Sequence, residues 1–168
     1  FYKGKTIRII VGTPPGGGFD TYSRAIARHL GKHIPGTTTI IVENMAGAGT
    51  MIAANYAYKA GKPDGLTMVN FIGSLVLGQA LGHPGIEFDA RKFEWVGVPS
   101  RDHMACALTK ASGITSIEKW MAAKTPVKLG ATGRGSSPED AAKVLKAALG
   151  LPVHIVSGYK GTAPLRLA

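Results

Sequence analysis

The stretch KTIRIIVGTPPGGGFD (residues 5–20) joins an apolar run to a loop with three consecutive glycines. The β-branched run at 5–12 predicts a central strand. The residues that follow the loop, 21–33, predict a helix with Asp20 as its N-cap. The apolar stripe expected on this helix consists of Tyr22, Ile26 and Leu30. The stretch therefore predicts a strand–loop–helix unit.

The same unit recurs along the chain. Strands are predicted at 38–44 and 66–71, with a helix at 50–60 between them. Farther along, strands are predicted at 127–131 and 153–158, and the helix between them starts at Ser136 or Ser137. This recurrence predicts βαβ crossovers, hence an α/β fold rich in parallel strands.

The segment 94–109 breaks the pattern, because two predicted strands, EWVGV (94–98) and MACALT (104–109), follow each other without a helix. We interpret it as the crossing between two lobes, which gives a first domain at 1–98 and a second at 99–168. Cys106 lies in the second of these predicted strands, so we expect an inert, buried thiol.

The composition and net charge of the chain limit the classes of partner that it can be expected to bind. The chain has 168 residues and a net charge of +10, which favours anionic partners. Its basic residues are scattered and its aromatic residues few, so nucleic-acid binding is not expected. His29 and His33 are spaced like paired metal ligands, but no third ligand is suggested and no metal is expected.

Fingerprints of nucleotide binding are absent. Gly16 and Gly18 begin a dinucleotide motif, but Thr21 stands where its third glycine belongs. Gly130 and Gly135 have the spacing of a phosphate-binding loop, but Ser136 replaces its lysine. No nucleophile elbow occurs either.

Since these motifs are absent, the remaining interpretation of the glycine-rich loops is that their backbone N–H groups bind an anion. Three small-residue loops, 14–20, 44–50 and 130–138, each follow a predicted strand, and the free N–H groups at helix N-termini accept carboxylates as well as phosphates. A single such loop is better explained as a tight turn. Three of the same build favour a binding site.

The motifs PPGGGFD (14–20), VENMAGAG (42–49) and PDGLT (63–67) resemble those of the substrate-binding proteins of tripartite tricarboxylate transporters, the Bug receptors. The segments GATGRGSS (130–137) and GYKGTAP (158–164) fit the same pattern, so the similarity runs over essentially the whole chain.

The resemblance implies an exported periplasmic receptor, with the signal peptide absent from this chain, that captures a small organic carboxylate between two lobes and delivers it to membrane permease subunits. It implies no catalysis and no cofactor. Because family members are nearly twice as long, we expect an N-terminal part with an incomplete second lobe.

Matching positions imply a ligand site drawn from both lobes. In the first lobe these residues are Thr13, Pro15, Gly16, Gly17, Gly18, Phe19, Asn44, Gly47, Ala48, Gly73 and Ser74. In the second lobe they are Thr132, Gly133, Arg134, Gly135, Ser136, Ser137, Tyr159 and Lys160.

Two alternatives stay open at this point. Arg134 departs from the small or amide residue usual in the family, and it either pairs with a second carboxylate of the ligand or faces solvent. The rival to a receptor is an α/β enzyme acting on a carboxylated or phosphorylated metabolite, for which Asp20 is the one suggested base.

Overall fold

A computed structural model of the chain describes residues 1–36, 38–100, 104–161 and 164–165. The strands are β1 (Thr6–Val11), β2 (Thr39–Asn44), β3 (Thr67–Asn70), β4 (Val127–Ala131) and β5 (Val153–Ser157). The helices are α1 (Gly18–Leu30), α2 (Met51–Ala60), α3 (Ser74–Ala80), α4 (Ile117–Met121) and α5 (Ser137–Leu149). The predicted α/β fold with parallel strands is confirmed.

The first sheet has the order β2-β1-β3, and both pairings are parallel. Its central strand carries Ile10 and Val11, which are fully buried, as the apolar run predicts. We call the part from β1 to α3 the first unit (residues 6–80). The parallel order brings the carboxyl ends of all three strands to one edge of the sheet, where the glycine loops begin.

The second sheet pairs β4 with β5 in parallel, with α5 as the crossover between them. Its core consists of the buried residues Trp120, Ala142, Leu151 and Val153. We call the part from α4 to β5 the second unit (residues 117–157). No described helix has both the length and the apolar character that crossing a membrane requires.

The predicted strands at 94–98 and 104–109 are wrong, since neither segment is a strand or pairs with one among the described residues. Trp95, Val96 and Val98 are exposed instead. A β-branched sequence supplies only a preference, and a strand forms when a neighbour completes its ladder. Cys106 is exposed, so the expectation of a buried thiol is also wrong. Part of the predicted crossing, residues 101–103, lies outside the described residues.

Helix α1 presents a different face from the predicted one. Tyr22 and Ile26 are exposed, whereas Asp20 and Ser23 are buried. The cause is polar: Asn70, at the end of β3, donates to Ser23 Oγ at 2.9 Å, which turns this side of the helix toward the strand ends. Asp20 is the third residue of the helix and not its N-cap, which is Gly17.

Candidate functional site

The first loop (residues 12–17) joins β1 to α1 and takes a sharp turn at Gly16, whose φ is +84°. Glycine adopts this left-handed conformation without steric cost. The Gly16 N–H donates to Asp20 Oδ2 at 2.9 Å, so a side chain of α1 fixes the loop that precedes this helix. The Thr13 hydroxyl in this loop is buried and has no hydrogen-bond partner among the described residues.

Asp20 anchors a buried polar network behind the first loop. Arg24 Nε donates to its carboxylate at 3.0 Å and Asn44 Nδ2 at 2.9 Å. The donation by Arg24 is the main reason that the pKa of Asp20 falls to about 2, with smaller contributions from Gly16 and Asn44. An acid this weakly basic and this fully bonded holds structure and is unsuited to abstracting a proton near neutral pH.

Asn44, one of the expected ligand residues, makes hydrogen bonds within the first unit. Its Nδ2 also donates to the Thr13 carbonyl at 2.9 Å, and its Oδ1 accepts from Arg24 at 3.0 Å. The whole amide is therefore engaged in bracing the first loop.

The second loop (residues 45–50) follows β2 and is left-handed over its last four residues, with φ of +145°, +45°, +61° and +76° at Gly47, Ala48, Gly49 and Thr50. For a β-branched residue such as Thr50 this is a strained conformation, worth of order 1–3 kcal/mol. The surroundings enforce it: Thr50 Oγ1 accepts from the Ile72 N–H at 3.0 Å, and a Cβ on Gly12 would lie 2.5 Å from Thr50 Cβ. Thr50 thus locks together the ends of β1, β2 and β3.

The third loop (residues 132–136) follows β4 and repeats the design of the first. Gly135 has φ of +71°, and its N–H donates to Glu139 Oε2 at 2.6 Å. Ser136, the N-cap of α5, is fully buried, yet its hydroxyl makes no capping bond and has no partner in the part of the chain that the structure describes. A buried hydroxyl without a partner is uncommon, because its desolvation is uncompensated. Arg134 is exposed, and its side chain makes no ion pair with a described residue.

The loops of the two units touch each other. Ser74 Oγ, at the start of α3, donates to the Gly135 carbonyl at 3.1 Å. A Cβ on Gly49 would lie 3.7 Å from Ser136 Cβ, and a Cβ on Gly133 would lie 3.5 Å from the Gly49 nitrogen. The structure therefore brings the expected residues Gly47–Ala48, Gly73–Ser74 and 133–136 to one place between the units.

Other expected residues lie apart from that contact. The Tyr159 ring packs against Gly130, since a Cβ placed on Gly130 would lie 3.3 Å from that ring. Lys160 is exposed. Pro15 and Gly16 are exposed on the outer part of the first loop. The remaining expected residues lie at the ends of the first and third loops or just after them: Gly17 ends the first loop, Thr132 begins the third, and Gly18, Phe19 and Ser137 begin helices α1 and α5.

Two hollows, of about 280 and 390 Å³, lie elsewhere, and neither is lined by an expected ligand residue. The first is beside Arg8 and Lys62 and the second between α1 and β2. No group of three or more His, Cys, Asp or Glu within the described ranges could hold a metal ion.

Sequence reasoning missed three structural roles: the bracing of loops by Asp20 and Glu139, and the strained conformation of Thr50. A signal for the braces exists, since an acid stands four residues after a loop glycine in both Gly16–Asp20 and Gly135–Glu139. No signal marks Thr50, because its φ depends on contacts with strand ends that are distant in sequence.

No protein-family model and no curated protein matches the chain. Solved structures do match. MatC from Rhodopseudomonas palustris, with bound malate, superposes with a TM-score of 0.72 at 23% identity over 98% of the chain. An R. palustris protein with adipate gives a TM-score of 0.70 at 20% identity over 99% of the chain. The periplasmic binding protein BugD gives 0.64 at 19% identity over 99% of the chain.

These likenesses establish the fold, which is that of periplasmic solute-binding proteins. The chain spans 56% of the length of each of these three structures.

Proposed function

We propose that the chain is the ligand-capturing part of a periplasmic receptor for small organic carboxylates, which closes over its ligand between two lobes and delivers it to a membrane permease. The lobes correspond to residues 1–98 and 99–168. Support comes from the fold shared with receptors that hold malate and adipate, and from the loops that meet between the two units.

The observation that carries the proposal is a pair of buried hydroxyls, Thr13 Oγ1 and Ser136 Oγ, for which the described part of the chain offers no hydrogen-bond partner. One belongs to the loop after β1 and the other to the loop after β4, the strand ends where open α/β sheets bind ligands. A carboxylate bound at these strand ends would accept hydrogen bonds from such hydroxyls and from nearby loop N–H groups, and would so satisfy donors that the described residues leave unmatched.

The charge of the chain suits this ligand class. A net charge of +10 attracts anions to the molecule over distances beyond contact. In the third loop, the unpaired Arg134 offers an additional cation for a second carboxylate.

Asp20, the one base suggested for the enzyme alternative, is unsuited to that role. With a pKa of about 2 and donors from Arg24, Asn44 and Gly16, Asp20 has neither the basicity nor the free lone pairs that proton abstraction needs. We therefore favour binding without turnover.

A thermal-shift screen of the full-length protein against mono-, di- and tricarboxylates tests the proposal, with sugars and nucleotides as comparison ligands. A ligand at a hundred times its Kd adds about 2.7 kcal/mol of stability and raises Tm accordingly. Stabilisation by at least one carboxylate is expected. If sugars or nucleotides stabilise the protein and no carboxylate does, the proposal fails.

A further inference from the structure

The two backbone polar groups of Gly135 point to different units. Its N–H donates within the second unit, to Glu139 Oε2 at 2.6 Å. Its carbonyl accepts from the first unit, from Ser74 Oγ at 3.1 Å. His83 of the loop after α3 also approaches, with Nδ1 3.4 Å from the position of a Cβ on Gly135. Gly135 is thus a point at which the units are joined by a hydrogen bond.

Glu139 is itself held firmly. It is only 7% exposed, and its carboxylate lies 3.2 Å from Lys143 Nζ and 3.5 Å from Ser157 Oγ at the end of β5. A buried carboxylate tied to its own helix and to the neighbouring strand has little freedom to move. The Gly135 backbone that it binds is therefore fixed relative to the second sheet.

The equivalent acid of the first unit makes a useful contrast. Asp20 binds the Gly16 N–H with the same four-residue spacing, but among the described residues, chain neighbours apart, nothing lies within 4 Å of the position of a Cβ on Gly16. The Asp20 brace therefore holds a glycine that faces open space, whereas the Glu139 brace holds a glycine in contact with the other unit.

We infer that Glu139 is a positioning residue for closure: by holding Gly135 in its left-handed conformation, it aims the Gly135 carbonyl at Ser74 of the first unit. The bond joins the units directly and uses no ligand atom. The inference thus goes beyond the proposed function, because it concerns how far the two units close while the site is empty.

Distance measurement between spin labels tests the inference in the ligand-free, full-length protein. The native exposed thiol is removed by Cys106→Ser, and labels are attached at Lys32→Cys, after α1, and Lys146→Cys, on α5, both of which are exposed positions. Closure is measured in four backgrounds: unmodified, Ser74→Ala, Glu139→Ala and the double variant.

Loss of one neutral hydrogen bond should lower the ratio of closed to open molecules about two- to tenfold in Ser74→Ala. Glu139→Ala should lower the ratio similarly, and the double variant should be no more open than either single one, since both changes remove the same contact. Asp140→Ala is the matched control: it removes a charge from the same helical turn, has no bond to Gly135 and should leave closure unchanged.

A closed fraction in Glu139→Ala equal to that of the unmodified protein would overturn the inference, as would effects of the two variants that simply add. If Glu139→Ala does not fold, Glu139→Gln takes its place, because its uncharged amide oxygen accepts from Gly135 more weakly than the carboxylate does and no longer pairs with Lys143. An intermediate closed fraction is then expected, and an unchanged one counts against the inference. Failure of the carboxylate screen leaves these ligand-free distances unaffected, so the two proposals are tested separately.

Discussion

At the scale of single residues, the two N-cap serines of the second unit behave in opposite ways. Ser116 caps α4 by accepting from the Lys119 N–H at 3.3 Å, whereas Ser136 caps α5 without any side-chain bond although it is fully buried. The Ser116 hydroxyl stabilises the fold. Burial of the Ser136 hydroxyl has a desolvation free energy that no hydrogen bond among the described residues offsets, which is typical of a group that binds a ligand.

This contrast predicts opposite effects of removing each hydroxyl. Ser136→Ala should leave the ligand-free protein as stable as before or about 1 kcal/mol more stable, and should weaken carboxylate binding about ten- to a hundredfold. Ser116→Ala should lower the free energy of unfolding by about 1 kcal/mol and leave affinity unchanged. Urea unfolding and calorimetric titration measure the two quantities. A Ser136→Ala variant that is destabilised but binds normally would refute the assignment of this hydroxyl to the ligand.

Asp20 makes stability depend on pH at the acidic end. Pairing with Arg24 lowers its pKa from 3.8 to about 2, so folding favours the ionised form. This stabilisation is fully present above pH 3.8 and is lost as the pH falls through about 2.

Asp20→Asn removes that dependence, because the amide is uncharged throughout. The difference in unfolding free energy between the wild type and the variant should therefore shrink as the pH falls from 4 to 2. Urea unfolding at several pH values measures it, and Asp64→Asn, in an exposed turn, serves as the control. A difference that stays constant over this range would mean that the Asp20 charge is not involved.

At the scale of elements, the apolar and glycine patterns predicted the units well. The runs at 5–12, 38–44 and 127–131 became β1, β2 and β4. The central strand β1 is mostly buried and leaves a nearly continuous apolar signal, whereas β2 and β4 are only partly buried. The segments 94–98 and 104–109 carry the same signal without forming strands, because pairing depends on a neighbour that the local sequence does not specify.

The face of α1 was predicted wrongly for a related reason. Hydrophobic periodicity selected Tyr22 and Ile26, but polar bonds from Asn70 to Ser23 and from Asn44 to Asp20 determine which side meets the sheet. The candidate site was predicted only as loops. Which loop groups are engaged and which are left without partners, as at Asn44 and Ser136, depends on contacts between elements.

The close approach of Gly12, after β1, to Thr50 of the second loop gives a prediction at the scale of elements. Gly12→Ala places a methyl group 2.5 Å from Thr50 Cβ and 3.0 Å from its Cα, so it should destabilise the fold by about 2 kcal/mol or more.

Thr50→Gly should restore part of that loss, because it removes the clashing side chain. Alone it should be nearly neutral, since relief of the strained φ of +76° offsets the lost bond from Ile72. Urea unfolding of both single variants and the double variant measures the effect. If the changes in unfolding free energy of the two single variants simply add in the double variant, a steric clash between these positions is contradicted.

At the scale of the whole molecule, two α/β units present loops to each other, and each unit keeps one buried hydroxyl that has no partner among the described residues. The acids that brace these loops are bonded to the protein itself, which leaves the hydroxyls, the loop N–H groups and Arg134 for the ligand that we propose. Such a set of donors favours an anion, and the positive net charge favours its approach.

Calorimetric titration of the full-length protein with malate and adipate, each beside its uncharged diamide, tests the central claim most directly. We predict one ligand bound per chain for at least one of the acids, with the matching diamide bound at least a hundredfold more weakly because it lacks the charge-assisted hydrogen bonds. Equal affinity for acid and diamide, or no binding of either acid while an uncharged solute binds, would contradict a carboxylate receptor.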